Sequence, residues 1–381
     1  MSTRVSGKIG FAIVGCGVIA PMHEKAIRAQ PDAELIAVMD IDPEIAKQRG
    51  AEFGVPFYTN IDALFARDDV QVVDVCVPSG LHAEIGVKAA LAGKHVICEK
   101  PIDISLAAAD RLTAACKEAG VKLQVISQHR FSNAMQQLKE AVDAGKFGRL
   151  VMGNASIFWY RAQSYYDSGG WRGTWELDGG GALMNQGVHW VDQLRWIMGP
   201  VKSVSAKMGM LAHERIEVED AVVAVVEFEN GAIGSIIGTT DAYPGYTTRL
   251  EIVGTEGSAI IEDGNIRAWN LKSEGGEVGA YGRAKSEKEA ETAKATNTQG
   301  GGAGDPAAIG WGGHAYQVRD MMNAIREDHE TANPGTEARN PLELILGVYQ
   351  SALTDAEVVF PVAQDYRPGA QAASLAKGGN A

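Results

Sequence analysis

Ile9-Gly10-Phe11-Ala12-Ile13-Val14 runs directly into Gly15-Cys16-Gly17-Val18-Ile19-Ala20, and the reading of these twelve residues decides the fold. The first six are an apolar run of strand length. The next six have the GxGxxA spacing that carries a parallel strand into a helix. Gly15 permits the tight turn, and Gly17 lets the backbone approach a pyrophosphate. Val18 and Ile19 open the helix, whose N-terminus offers amide donors and a positive dipole end, while Ala20 allows close helix-to-strand packing. Alone the pattern is weak, because glycines punctuate many strand-helix turns. Its surroundings carry it. Asp40 ends the second strand candidate, where an acid accepts hydrogen bonds from adenosine ribose hydroxyls and repels a 2′-phosphate. No arginine directly follows Asp40, so NAD is expected rather than NADP.

Outward from this turn, strand candidates Leu35–Met39, Val72–Val77, His95–Cys98 and Leu123–Ile126 alternate with helical segments. Those segments are Ile19–Ala29, Pro43–Phe53, His82–Ala92 and Leu106–Ala119. Continuous apolar strands separated by helices predict a parallel sheet covered on both faces, a doubly wound α/β Rossmann domain over residues 5–127. Beyond Gln128 the rhythm changes. A helix (Asn133–Ala144) and a strand (Leu150–Trp159) lead through a Gly- and Trp-rich connection to a helix at Leu183–Met198. Alternating runs follow at Val201–Met210, Ala221–Phe228, Ala232–Thr239, Arg249–Val253, Ser258–Glu262 and Ile266–Trp269. Tight turns such as Glu229-Asn230-Gly231 predict an antiparallel meander. Residues 128–363 therefore read as an α+β domain with an open-faced, mainly antiparallel sheet, whose free face suits a second subunit. Residues 272–308 hold almost no large apolar side chains and read as a surface excursion. Helices His314–Glu327 and Pro341–Glu357 close the chain, and 364–381 is expected to be a loose tail.

Composition narrows the function classes. The chain has 381 residues and a net charge of −13, which opposes nucleic acid and anionic membranes as partners. Met1–Lys8 lacks the apolar core of a secretory signal, and no stretch has 18 uninterrupted apolar residues, so a cytoplasmic location is expected. Cys16, Cys76, Cys98 and Cys116 form no CxxC pair, which argues against a disulfide framework or a zinc site.

Cys98-Glu99-Lys100-Pro101 ends the strand at the carboxyl edge of the sheet, where ligands of such folds bind. A lysine there can lie beside a nicotinamide ring and hydrogen-bond a substrate hydroxyl, with Pro101 fixing its direction. A surface ion pair between Glu99 and Lys100 is the plainer alternative for an isolated triplet. Further along, Asn185, His189 and Asp192 share one helical stripe. His189 near a hydroxyl can take its proton, and Asp192 can orient the ring. Gly179–Gly181 before that helix permits close approach of a ligand.

Taken together, Gly15-x-Gly17-x-x-Ala20, Val77-Pro78-Ser79-Gly80-Leu81-His82, Glu99-Lys100-Pro101 and the segment from Gly179 to Asp192 resemble the Gfo/Idh/MocA oxidoreductase family. The resemblance implies a homodimer or homotetramer through the C-terminal sheet, no metal, and hydride transfer between NAD and a secondary alcohol of a sugar or cyclitol. It maps the catalytic pair onto Lys100 and His189. The family's frequent aspartate is Asn185 here, and an amide cannot act as a base. Cofactor contacts are expected from Gly15, Gly17, Val18, Ile19, Asp40, Pro78, Ser79, His82, Glu99, Lys100, Gln128 and Arg172. Substrate contacts are expected from Asn185, Lys100, His189, Trp171, Arg172 and Tyr160. Five of the seven tryptophans lie between Trp159 and Trp196, which suits a pyranose or anhydrosugar and equally suits a core. Arg130 should face the cleft, and His314 either reaches it or packs. Two other functions share these motifs: a glycosidase using NAD transiently, and a non-catalytic NAD-binding regulator. Net NADH formation separates the first, and intact Lys100 and His189 argue against the second.

Overall fold

The computed structural model describes residues 7–275 and 311–372. Most of the 272–308 excursion and the tail beyond Ala372 lie outside the described residues. In the first domain, β1 (Ile9–Val14), α1 (Ala20–Arg28), β2 (Ala33–Met39) and α2 (Pro43–Phe53) come first. They lead to β3 (Phe57–Tyr58), α3 (Ile61–Phe65), β4 (Val72–Val75) and α4 (His82–Leu91). Then come β5 (His95–Cys98), α5 (Leu106–Ala119) and β6 (Leu123–Val125). The sheet is parallel, in the order β3-β2-β1-β4-β5-β6. This is the doubly wound order, with its switch point between β1 and β4. Every residue of β1 is buried, as a central strand covered on both faces requires. Local sequence sets the helix ends. The Asp42 side chain accepts from the amides of Glu44 and Ile45, and Gly54 closes α2 in the left-handed region at φ +68°.

The second domain starts with α6 (Asn133–Asp143), β7 (Leu150–Phe158) and a short α7 (Gln163–Asp167). After a π-helical turn at Ala182–Gly187 come α8 (Val188–Met198), β8 (Val201–Gly209), β9 (Ala221–Phe228) and β10 (Ile233–Thr239). Next are β11 (Thr248–Gly254), β12 (Gly257–Glu262) and β13 (Asn265–Leu271). Its eight-stranded sheet runs β13-β12-β11-β7-β10-β9-β8-β14, with β14 at Val358–Val359. All pairs are antiparallel except β7 with β10. One face packs on helices. The other leaves Met152, Phe158, Val223, Val225, Ile233 and Val253 exposed.

Two late helices return to the centre. α9 (Gly312–Glu327) packs Ala315, Val318, Met321 and Met322 into the same core as Ile9, Phe11 and Ile13 of β1. α10 (Gly335–Thr354) buries Leu342, Ile345, Leu346 and Tyr349 in the core shared by both sheets. It begins at Gly335, before the proline that the sequence marks as its start. Pro341 lies inside it, because the buried residues on both sides of the proline outweigh its missing N–H. Among the described residues no helix is long and apolar enough to cross a membrane.

Candidate active site

The site is built at the carboxyl edge of the first sheet. Gly15 sits at φ +97°, and a Cβ there would fall 2.5 Å from the carbonyl oxygen of Cys76. Only glycine brings β1 this close to the β4 loop. A Cβ on Gly17 would meet nothing within 4 Å, so that backbone lies open to a ligand. Asp40 caps the turn with one carboxylate oxygen, which accepts from the Cys16 amide at 2.8 Å; the other accepts from the Asp42 amide at 3.0 Å. Arg49 adds a residue that the motif did not point to. Its Nε donates to the Cys16 carbonyl at 3.1 Å, beside the same turn. Gln128 follows β6 with a buried Oε1 that has no partner among the described residues. An open glycine edge, a strand-end acid and an orphaned buried acceptor are what an extended dinucleotide needs.

Ser79 is buried just past Pro78, in the short 3-10 turn that leads into α4. His82 is engaged on both sides: Nδ1 lies 2.7 Å from the Pro101 carbonyl and Nε2 2.9 Å from that of Val77. It ties two strand-end loops together and has no free ring nitrogen for a cofactor. Glu99 likewise turns inward. Its Oε2 accepts from the Lys100 amide at 3.0 Å, and its Oε1 lies 2.8 Å from His23 Nε2. His23 Nδ1 lies 2.7 Å from Asp74 Oδ2, and His314 Nε2 is 3.4 Å from Glu99 Oε1. Burial opposes charge on His23, but the adjoining Asp74 overcomes it and holds its pKa well above the ordinary value. Burial also opposes the charge on Glu99, which His23 and His314 nevertheless hold well below the carboxylate range. This four-residue cluster was invisible as a motif. Its one sign was Asp74, an acid inside the otherwise apolar strand Val72–Val75.

Lys100 leaves the end of β5, and its Nζ donates to the backbone carbonyl of Asn185 at 3.0 Å. Burial lowers its pKa, against the pull of Glu99 and Asp178. His189 is buried at the start of α8, 4.5 Å from the His129 ring between centroids. Burial, then the charges of His129 and Lys100, hold its pKa well below the ordinary value. Lys100, Asn185, His189 and His129 thus converge from both domains. A lysine ammonium beside a neutral imidazole can stabilise an alkoxide while the imidazole takes a proton.

Three expectations change. The helix expected at Leu183–Met198 is a π-helical turn followed by α8, so the shared stripe is broken. Glu219 caps the entry to that turn: its buried carboxylate accepts from the amides of Gly181 (2.9 Å) and Leu183 (2.8 Å). Asp192 does not orient His189. Its carboxylate is taken by Arg130 Nε at 2.7 Å and Ser127 Oγ at 2.9 Å, deep in the interior. Arg130 therefore braces α8 rather than facing the cleft. Of the aromatics, Trp159 and Trp190 pack edge-on in the core, 5.2 Å apart, and Tyr160 packs on Tyr243. Arg172 lies over Tyr165 and Trp171, and its charge reaches Asp178, a buried acid outside the family motifs.

Known proteins resemble this chain in sequence and in fold. An oxidoreductase family with an NAD-binding Rossmann fold matches residues 9–127, and the GFO/IDH/MocA C-terminal domain matches residues 135–260. The chain is 30% identical to myo-inositol 2-dehydrogenase of Thermotoga maritima over 71% of its own length and 80% of that protein. It is 28% identical to levoglucosan dehydrogenase of Pseudarthrobacter phenanthrenivorans over 66% and 73% of the two chains. Among solved structures it resembles the WlbA dehydrogenase of Bordetella pertussis in complex with NADH and UDP-GlcNAcA. That match has a TM-score of 0.80 and 33% identity, and it covers 93% of this chain and all (100%) of the other.

Proposed function

The chain belongs to the GFO/IDH/MocA family of NAD-binding oxidoreductases, and from this we propose that it oxidises a secondary ring hydroxyl of a sugar, anhydrosugar or cyclitol to the ketone. It is an NAD(P)-dependent dehydrogenase, and NAD, when bound, supplies the hydride acceptor. The observation that carries the reading is the meeting of Lys100 with the Asn185 carbonyl beside buried His189. His189 is kept neutral by its surroundings and takes the hydroxyl proton. Lys100 keeps its ammonium and steadies the alkoxide as the carbon gives up its hydride. Asn185 offers an amide to neighbouring hydroxyls, and Trp171 with Arg172 closes the substrate side. The relatives act on levoglucosan and myo-inositol by name, which supports a polyhydroxylated ring.

The free sheet face supports association of two copies. Val253, Met152 and Ile233 lie side by side across β11, β7 and β10, and Val225 and Val223 of β9 extend the exposed apolar area on the same face. Sizing as a strict monomer at micromolar concentration overturns this part. The reaction is tested with a panel of sugars, anhydrosugars and cyclitols plus NAD, measuring NADH. Glycoside cleavage without net NADH, or no reaction with any ring alcohol, counts against the dehydrogenase.

A further inference from the structure

Behind Asn185, whose backbone carbonyl meets Lys100, stands a buried carboxylate. Asp178, in the connection just before Gly179, is 1% exposed. Its Oδ2 accepts from the Gly173 amide at 2.9 Å, and its Oδ1 accepts from Asn185 Nδ2 at 2.6 Å. An ionised carboxylate has no proton to give, so only the NH2 end of the Asn185 amide can face it. The amide oxygen is thereby turned the other way. No described residue donates to that oxygen, although Asn185 is only half-buried, and the backbone carbonyl of the same residue is held by Lys100.

We propose that Asp178 is a positioning residue of this centre. By holding the Asn185 NH2, it points the amide oxygen into the cleft to accept a hydrogen bond from a hydroxyl adjacent to the one being oxidised. This role presupposes the sugar oxidation proposed above and specifies its substrate as a ring with a vicinal diol. The lysine grips one hydroxyl while the amide oxygen reads its neighbour. A substrate lacking the second hydroxyl leaves that acceptor unpaired, and such sites discriminate strongly.

The groups facing Asp178 come from several elements: Lys100 from just past β5, Tyr165 and Tyr166 from α7, Arg172 from the connection after it, and Tyr349 from α10. Burial lifts the Asp178 pKa to about 6, against the Gly173 amide, the Asn185 amide, Lys100 and Arg172. Protonated, Asp178 becomes a donor and the amide gains a reason to turn. The acceptor is therefore presented above that pH and withdrawn below it.

The test uses the full chain in two steps. With asparagine side chains labelled by 15N and no sugar present, the Asn185 NH2 resonance, assigned by its loss in Asn185→Ser, should titrate with a midpoint near 6. The titration should vanish in Asp178→Asn, and a signal that is flat in the unmodified protein overturns the pairing. Next, Asp178→Asn is assayed with whichever of levoglucosan or myo-inositol reduces NAD. KM should rise about tenfold while kcat and NADH affinity stay within about threefold, as expected for losing one substrate hydrogen bond. The exchanged pair D178N/N185D puts a carboxylate oxygen back toward the cleft and should return KM to within about threefold of the parent. Failure of that rescue, or a loss of NADH affinity equal to the loss in KM, sinks the positioning role alone. No NADH from any sugar in the panel sinks the dehydrogenase reading, and this one with it, whatever the amide does.

Discussion

Lys100 Nζ donates to the backbone carbonyl of Asn185 across 3.0 Å, so the end of β5 and the π-helical turn of the second domain meet at one hydrogen bond. Neither domain holds a complete site. The ammonium comes from the dinucleotide-binding half and the imidazole from the other, so the chemistry depends on both halves keeping their register.

If Lys100 and His189 divide the work between alkoxide and proton, each truncation removes an interaction made only in the transition state. Lys100→Ala and His189→Ala should each lower kcat by at least about a hundredfold while NADH still binds. Steady-state kinetics with NADH titration checks both. A tenfold or smaller loss in either contradicts its role.

Both groups have their pKa lowered, and the signs set the pH profile. His189 works neutral, and burial with the His129 and Lys100 charges holds its pKa below 6.5. Falling pH therefore removes activity only below that value. Lys100 works as the ammonium, and burial lowers its pKa from 10.5, so rising pH removes activity before that value is reached. In kcat/KM against pH, an acid limb centred above about 7 rules out His189 as the base.

Asp40 should hold the choice of cofactor. With one carboxylate oxygen accepting from the Cys16 amide and the other from that of Asp42, its side chain is held in place past the end of β2. Asp40→Ser should narrow the preference for NAD over NADP by about tenfold or more, a difference near 1.4 kcal/mol. Equal kcat/KM ratios in the parent and the variant contradict this.

The Arg130–Asp192 pair is buried and bidentate, with Nη2 to Oδ1 at 2.5 Å beside the Nε contact. Arg130→Ala leaves the buried Asp192 carboxylate without its cation, with Ser127 Oγ still donating to it, and should cost about 3–5 kcal/mol in denaturant unfolding. Replacing both partners with apolar residues of similar size should recover most of that loss. Equal destabilisation by the single and double variants would falsify the pairing.

The first sheet was legible because its strands are continuous apolar runs and its turns carry glycine, while the second was legible from period-two alternation. β3 and α3 were missed, since two residues and five residues are too short for any period to show. The motifs pointed to Lys100, Asn185 and His189, yet the wide turn at Ala182 is capped by Glu219, a residue beyond α8 and β8. Asp178 escaped for a related reason: its partner is seven positions away, across the glycine run, where no helical or strand period links the two. The His23–Asp74–Glu99–His314 cluster joins four elements, with separations of 51 and 76 residues in its hydrogen bonds, beyond the reach of any local pattern.

The π-helical turn at Ala182–Gly187 also separates two properties that usually change together. Adding or removing one residue in a helix rotates the chain on its N-terminal side by about 100° relative to the chain on its C-terminal side. Here α8 is pinned by Asp192 on Arg130 and by Trp190 on Trp159, so it cannot take up the rotation. The change of phase falls on Asn185 and the glycine run instead. A single-residue insertion or deletion in this turn therefore re-aims Asn185 while both sheets and α8 keep their places, and its cost falls on the buried contacts of Leu183 and Met184.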